Sequence, residues 1–170
     1  MRELALKNGG FTLVDDEDFE CLSQYIWRKH TRGYVVRHIS GPITIWMHRE
    51  IKGLTRDDAR LVDHINGNKL DNRRENLRVA TKSQNCHNQG VQSTSTSGYK
   101  GVTWHSGRRV NKWIAQISFN GRRIHLGSFD DIHVAAHEYN KAAVKYHGEF
   151  ARLNLVGFPF SVQATGANHD

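Results

Sequence analysis

Between Leu61 and Gly90 the chain reads LVDHINGNKLDNRRENLRVATKSQNCHNQG, and this order of residue types leaves few ways to fold. The apolar pair Leu61 and Val62 leads into adjacent Asp63 and His64. A polar segment follows, with Gly67, two further Asn and an Asp-Asn pair, all of which favour tight turns. After Glu75-Asn76-Leu77-Arg78 comes Thr81-x-x-Gln84, which has the form of a capping box. In such a box the Thr hydroxyl accepts a free amide at the helix start, and the Gln side chain reaches back to the cap. Gly90 is a natural stop. The pattern predicts strand, loop, short strand and short helix. Asp63 and His64 fall at the strand end, and Asn85 and Asn88 lie three apart on one helix face.

These residue types suggest a chemistry. A neutral imidazole takes a proton from water near neutral pH. A carboxylate and an amide oxygen suit a hard divalent cation that keeps several waters and expects phosphate as a further ligand. A general base beside a metal is what phosphodiester hydrolysis needs. Taken singly, an Asp-His pair is usually a turn or a strand end, and an Asn-rich segment is usually a loop. The ordered set followed by a capped helix is what points to catalysis.

The string DHINGNKLDNRRENLR…SQNCHN resembles the HNH (ββα-metal) endonucleases, in the His-Asn-Asn form common in phage and homing enzymes. The resemblance covers residues 45–90. It implies His64 as general base and Asp63 and Asn85 as metal ligands, with Asn76 bracing the loop through side-chain to backbone hydrogen bonds. Asn88 matches a second family Asn, expected to be structural or to contact phosphate. The last ligand position is Asn85 rather than His, which favours Mg²⁺ or Mn²⁺ over Zn²⁺. His48-Arg49 matches a His-Arg pair upstream of the motif in phage-type members. It implies either a role for Arg49 near the scissile phosphate or a surface pair closing a hairpin.

The chain has 170 residues, a formal charge of +7 and a pI near 9.6. A basic surplus points to nucleic acid as partner. Hydrophobic content of 38% suits small modules with modest cores. No apolar run approaches a membrane span, and the N-terminus lacks the features of a signal peptide, so a cytoplasmic location is expected. Two cysteines, Cys21 and Cys86, without a CxxC, exclude a structural zinc knuckle and a disulfide scaffold, and are expected to be buried or incidental thiols.

Upstream, Phe11–Val14 predicts a strand, and Asp15 to Asp18 predict a helix start running through Leu22 and Tyr25. Tyr34–Arg37 and Ile43–His48 predict a hairpin around Ser40-Gly41-Pro42. Trp27 and Trp46 read as core residues. Residues 53–60 read as a polar connection without chemistry, and 91–98, VQSTSTSG, as a flexible linker.

Residues 99–155 change character. Strands are expected at 101–104, 112–119 and 122–127, with Asn120-Gly121 as a two-residue hairpin turn. From Tyr99 to Ile124 there are Lys and Arg residues but no Asp or Glu, so the sheet has a natural anionic partner. A helix over 132–147 carries one apolar stripe, Ile132, Ala135, Ala136, Tyr139, Ala142, Ala143 and Tyr146, with an Asp cap and Gly148 as its stop. GYKGVTW, KWIAQI, GRRIHLGSFDD and AAHEYNKAAVKYHGEFARLN resemble the plant ethylene-response-factor (apetala-type) DNA-binding domain over about 55 residues. The resemblance implies contact with the DNA major groove by the sheet, with Lys100, Trp104, Lys112, Trp113, Arg122 and Arg123 as candidates, and Arg108 and Arg109 on a hairpin tip touching phosphate. Trp113 alternates in phase with Ile117, which also allows a structural role. Ser118 and His125 depart from the family's Arg and Trp, so base preference does not carry over.

The expectation is therefore an α+β protein. Residues 1–90 form an HNH module, 91–98 a linker, 99–155 a three-stranded antiparallel sheet packed on one helix, and 156–170 a tail in which Phe158-Pro159-Phe160 packs back. The expected activity is Mg²⁺- or Mn²⁺-dependent cleavage of double-stranded DNA by an enzyme of phage or homing type. The alternative is a DNA-binding regulator with an inactive nuclease-like part. Oligomeric state is left open.

Overall fold

Short apolar runs broken by Gly, Asn and Asp produce short strands, and the computed structural model has ten of them among the residues it describes, 1–39, 43–107 and 111–157. The chain folds as two units, residues 1–89 and residues 90 onward. Among the described residues it mixes α and β structure in four small antiparallel sheets and four α-helices. No helix among the described residues is long and apolar enough to cross a membrane.

The first unit starts with a hairpin of β1 (Arg2–Ala5) and β2 (Phe11–Val14), followed by α1 (Asp16–Ser23). A sheet of β3 (Arg28–Lys29), β4 (Val35–His38) and β5 (Thr44–Trp46) comes next, in that spatial order. The expected second strand of the hairpin stops earlier than the sequence suggested. Met47 and His48 open a short helix, α2 (Met47–Ile51), because Met47, His48 and Ile51 then turn one face inward and are buried together. Ser40, Gly41 and Pro42 lie outside the described residues.

β6 (Leu61–His64) pairs with β7 (Leu77–Ala80), and α3 (Lys82–His87) follows, starting from Thr81. Thr81 Oγ1 accepts from the Gln84 amide at 3.2 Å, and Gln84 Oε1 accepts from the Thr81 amide at 2.8 Å, so the capping box is formed. Val62 and Leu77 join Leu4, Leu6, Val14, Leu22, Trp27, Val35, Met47 and Ile51 in one core. That core carries the motif hairpin: it anchors one face of β6 and holds the strand end in place. Trp27 is fully buried and donates to the Leu22 carbonyl, whereas Trp46 is only half-buried. Cys21 and Cys86 are both exposed free thiols, so of the two expected states, buried or incidental, burial is the one that does not hold.

In the second unit β8 (Val102–Ser106), β9 (Asn111–Phe119) and β10 (Arg122–Phe129) form a sheet with β9 in the middle. Asn120 and Gly121 both have positive φ, 50° and 73°, as a two-residue hairpin turn of this kind requires. A bulge between His125 and Gly127 interrupts β10. α4 (Ile132–His147) is capped by Asp131, whose carboxylate accepts from the His133 and Val134 amides. Its alanines, with Tyr139, bury against Val102, Ala115 and Ile117. Small side chains on the helix let it lie close to the sheet. Asn154 then ties the chain end back: it exchanges hydrogen bonds with the backbone of Lys100 and with the side chain of Asn140. Phe158, Pro159 and Phe160 lie outside the described residues.

Gly101 sits at the tightest point of this unit. Its φ is +72°, and a Cβ there would overlap the Tyr139 ring and lie 2.6 Å from the Gln116 carbonyl oxygen. Gly101→Ala is expected to destabilise the second unit by about 3 kcal/mol, combining overpacking with a left-handed backbone. Thermal melting checks this, and a variant that melts with the wild type would contradict the packing.

Candidate active site

The end of β6 places Asp63 and His64 side by side, both buried. The loop from Ile65 to Asn76 is held from within. Asn76 Oδ1 accepts from the Asn66 amide at 3.0 Å and its Nδ2 donates to the Asp71 carbonyl at 2.7 Å. Asp71 accepts from Asn66 Nδ2 and from the Arg73 guanidinium, which holds its carboxyl below the usual carboxylate range. A bridge from Leu13 to Asp71 fastens the loop to β2. Asn76 is buried and thus closes the loop with side-chain to backbone bonds.

His64 is 4% exposed, and its Nε2 lies 3.2 Å from Asn72 Oδ1. An amide oxygen only accepts, so His64 Nε2 carries the proton and Nδ1 keeps a lone pair. Asn72 is itself fully buried. Its Nδ2 donates to Thr12 Oγ1 at 2.8 Å, and the Thr12 hydroxyl donates to the Leu70 carbonyl. This chain fixes both the orientation and the tautomer of His64. Burial is the largest influence on the ring and lowers its pKa; the Asn72 bond and the Asp63 and Asp71 charges oppose it. His64 therefore stays neutral and basic at ordinary pH.

Asp63 is engaged. Arg78 Nε and a terminal guanidinium nitrogen reach Asp63 Oδ2 at 3.0 and 2.8 Å. Asn88 Nδ2 lies 3.1 and 3.0 Å from the two carboxylate oxygens, and also near the carbonyls of His64 and Ile65. Asn88, expected from its family match to contact DNA or support the fold, is 8% exposed and turned inward, so it holds Asp63 rather than facing a duplex. Asn85 lies one turn earlier on α3, half-buried. The structure brings Asp63, His64 and Asn88 into direct contact; Asn85, on the same side of α3 as Asn88, makes no hydrogen bond to Asp63 or His64 among the described residues.

The donor chemistry fits a hard divalent cation. Asp63 offers a carboxylate and Asn85 an amide oxygen. Among the described residues no three His, Cys, Asp or Glu side chains are grouped to hold a metal by themselves, so a cation here would draw its other ligands from water and substrate phosphate.

Sequence reasoning noted the His48-Arg49 pair but gave His48 no role of its own. It lies on α2 at 7% exposure, its ring centroid 5.2 Å from that of His64 and 5.0 Å from Tyr34. Burial first, then His64, Arg49 and Lys69, push its pKa down to about 3. Partial burial first, then the Asp63 charge, push the half-buried Tyr34 up. The Arg49 guanidinium donates to the carbonyls of Thr55, Asp58 and Arg60 and clamps that loop. A cavity of about 590 Å³ is lined by Arg37, Trp46, Arg49, Glu50, Thr55 and Asp58, among others, and neither Asp63 nor His64 borders it.

In the second unit, register sorts the candidates. Side chains alternate across a sheet, and cross-strand partners share a face. Val102 pairs with Ala115, and Ile117 with Ile124, on the helix side. Trp104 pairs with Trp113 on that same side, their rings 4.8 Å apart, and Trp113 packs into the core. Arg122, opposite Phe119, also belongs there. The face turned away from α4 carries Thr103, His105, Lys112, Gln116, Ser118, Arg123 and His125. Of the sequence candidates, Lys112 and Arg123 lie on this outer face; Lys112 is paired with Asp130. Trp104, Trp113 and Arg122 do not, because the period of two assigns them to the inner side. Lys100 lies ahead of β8, with its backbone bonded to Asn154. Arg108 and Arg109 lie outside the described residues.

With a strand-ending Asp-His, an Asn-braced loop and a capped helix bearing two Asn, the chain belongs to the HNH endonuclease family. The family model described as HNH endonuclease matches residues 59–87. An uncharacterized HNH endonuclease of Acanthamoeba polyphaga mimivirus is 33% identical over 157 residues, covering 88% of this chain and 78% of its own length. Protein 3.8 of Escherichia phage T7 is 34% identical over 92 residues, 54% of this chain and 74% of that protein. The C-terminal part is similar to an AP2-like ethylene-responsive transcription factor of Arabidopsis thaliana, 41% identical over 63 residues, which cover 37% of this chain and 13% of that protein. No solved structure matches the chain.

Proposed function

We propose that the protein is a metal-dependent endonuclease that hydrolyses phosphodiester bonds in double-stranded DNA, with its second unit providing site preference. The observation that carries this reading is the buried His64, its Nε2–H committed to Asn72 and its Nδ1 lone pair left over, next to Asp63. His64 Nδ1 takes a proton from a water molecule as the water oxygen attacks phosphorus; the bond from phosphorus to the 3′ oxygen breaks, and that oxygen takes a proton from solvent water, giving a 5′-phosphate and a 3′-hydroxyl. Asn72 and Thr12 keep the ring from turning, so the lone pair stays aimed. Asp63 and Asn85 are the residues to hold Mg²⁺ or Mn²⁺, which when bound stabilises charge on the phosphate and the leaving oxygen. In the second unit, the outer face of the sheet is the side to meet the duplex. Arg123 and Lys112 supply phosphate contacts, and Gln116, Ser118 and His125 offer polar groups to base edges.

Incubation with supercoiled plasmid tests this. Relaxation or linearisation in Mg²⁺ or Mn²⁺, stopped by EDTA, is the expected result. A second reading draws on the engagement of Asp63 by Arg78 and Asn88: a DNA-binding regulator with an inactive nuclease unit. Duplex binding without cleavage in either metal would favour that reading and overturn the first.

A further inference from the structure

We propose that His48 is a second imidazole of the nuclease site, presenting its Nε2–H to a non-bridging oxygen of the phosphate that His64 Nδ1 serves. This rests on the nuclease reading.

Three observations point the same way. The first is placement: α2 sets the His48 ring edge-on to His64, 5.2 Å between centroids, in a row of rings that continues through Tyr34, Trp46 and His30. The second is the state of its nitrogens. Nδ1 is buried with no hydrogen-bond partner among the described residues. Buried acceptors without partners are tolerated better than orphan N–H donors, so the proton belongs on Nε2. The third is Arg49. The cation next to His48 on α2 is committed to three carbonyls of residues 55–60, so it is not the group that α2 offers to a phosphate.

Burial holds His48 uncharged at working pH, so it acts as a neutral donor. Such a donor strengthens its hydrogen bond as charge builds on the phosphate oxygens, and it does so without a bound cation's long-range pull on ground-state DNA. An apolar ring in its place would pack against Tyr34 and His64 without burying a polar atom. A local rule broken in this way is expected at a site with a chemical task.

The test compares three variants of the full chain in the plasmid assay, with thermal melting and duplex binding in EDTA measured alongside. His48→Gln keeps an amide N–H near the position of Nε2, whereas His48→Phe keeps the ring and loses the donor. His48→Ala and His48→Phe are expected to slow cleavage about 100-fold. His48→Gln is expected to stay within about 10-fold of wild type, with duplex affinity falling no more than about three-fold in any of the three, since one neutral donor adds little to ground-state binding. Full activity in His48→Phe, or a His48→Gln variant as slow as His48→Ala, would overturn the proposal. Imidazole ¹⁵N spectra of the wild-type chain with a short duplex give a readout independent of turnover. The Nε2–H tautomer, with a shift at Nε2 on adding duplex, is expected; an Nδ1–H tautomer or an unmoved signal overturns the contact. If the wild type fails to cut in any metal while the Nε2 signal still moves, the nuclease reading falls and the phosphate contact survives.

Discussion

His64→Ala is expected to slow plasmid cleavage about 1000-fold while duplex affinity stays within about three-fold of wild type. The asymmetry follows from the charge state. Burial lowers the His64 pKa, so the ring that is removed carries no charge and makes no ionic contact with phosphate. What is lost is the proton acceptor in the step where water attacks phosphorus. The acid limb of the wild-type pH profile should accordingly lie below the 6.5 of an ordinary histidine, because the neutral form persists to lower pH. Initial rates across pH 5–8, with binding measured by anisotropy, check both points. A variant that cuts at the wild-type rate would remove His64 from the chemistry and with it the proposed mechanism.

Acid is expected to weaken the first unit through His48. Its folded-state pKa is about 3, against 6.5 when exposed. Below pH 6.5 the unfolded chain therefore binds a proton that the folded chain refuses. The stability contributed by neutral His48 is complete above pH 6.5 and is lost as pH falls toward about 3. By pH 5 the loss is about 2 kcal/mol, rising to about 5 kcal/mol at the acid limit. His64, shifted in the same direction by burial, adds to the slope. The melting temperature reported by the buried Trp27 should drop on the order of 10 °C between pH 7 and pH 5. His48→Phe should flatten that dependence, since it removes an imidazole that takes up a proton on unfolding. An equally steep profile in the variant would show that the acid sensitivity arises elsewhere.

Much of the architecture was legible because it is local. The Thr81–Gln84 box, the Asn120-Gly121 turn, the Asp131 cap and the alanine stripe of α4 each depend on residues a few positions apart. Their geometry follows from backbone rules that hold wherever such residues occur. The same holds for Asn76, whose bonds stay within its own loop. Where Met47 and His48 left the predicted strand, a buried helical face outweighed β propensity.

The site was legible only as a set of residue types. That Asp63, His64 and two helix Asn stand in a spacing suited to hydrolysis could be read along the chain. Which His64 nitrogen is free depends on Asn72 and on Thr12, 60 residues before it. Which helix Asn touches Asp63 depends on the docking of α3 against β6, 25 residues apart. The face that Trp104 and Trp113 occupy was settled by strand register against α4, and the use of Arg49 by a loop that folds over it. Sequence alone thus determined the elements and the inventory of reactive groups, since caps, turns and periodicity act over short distances. Tertiary structure alone decided orientation, protonation and partner, since these arise from burial and from hydrogen bonds between distant residues that only packing brings together.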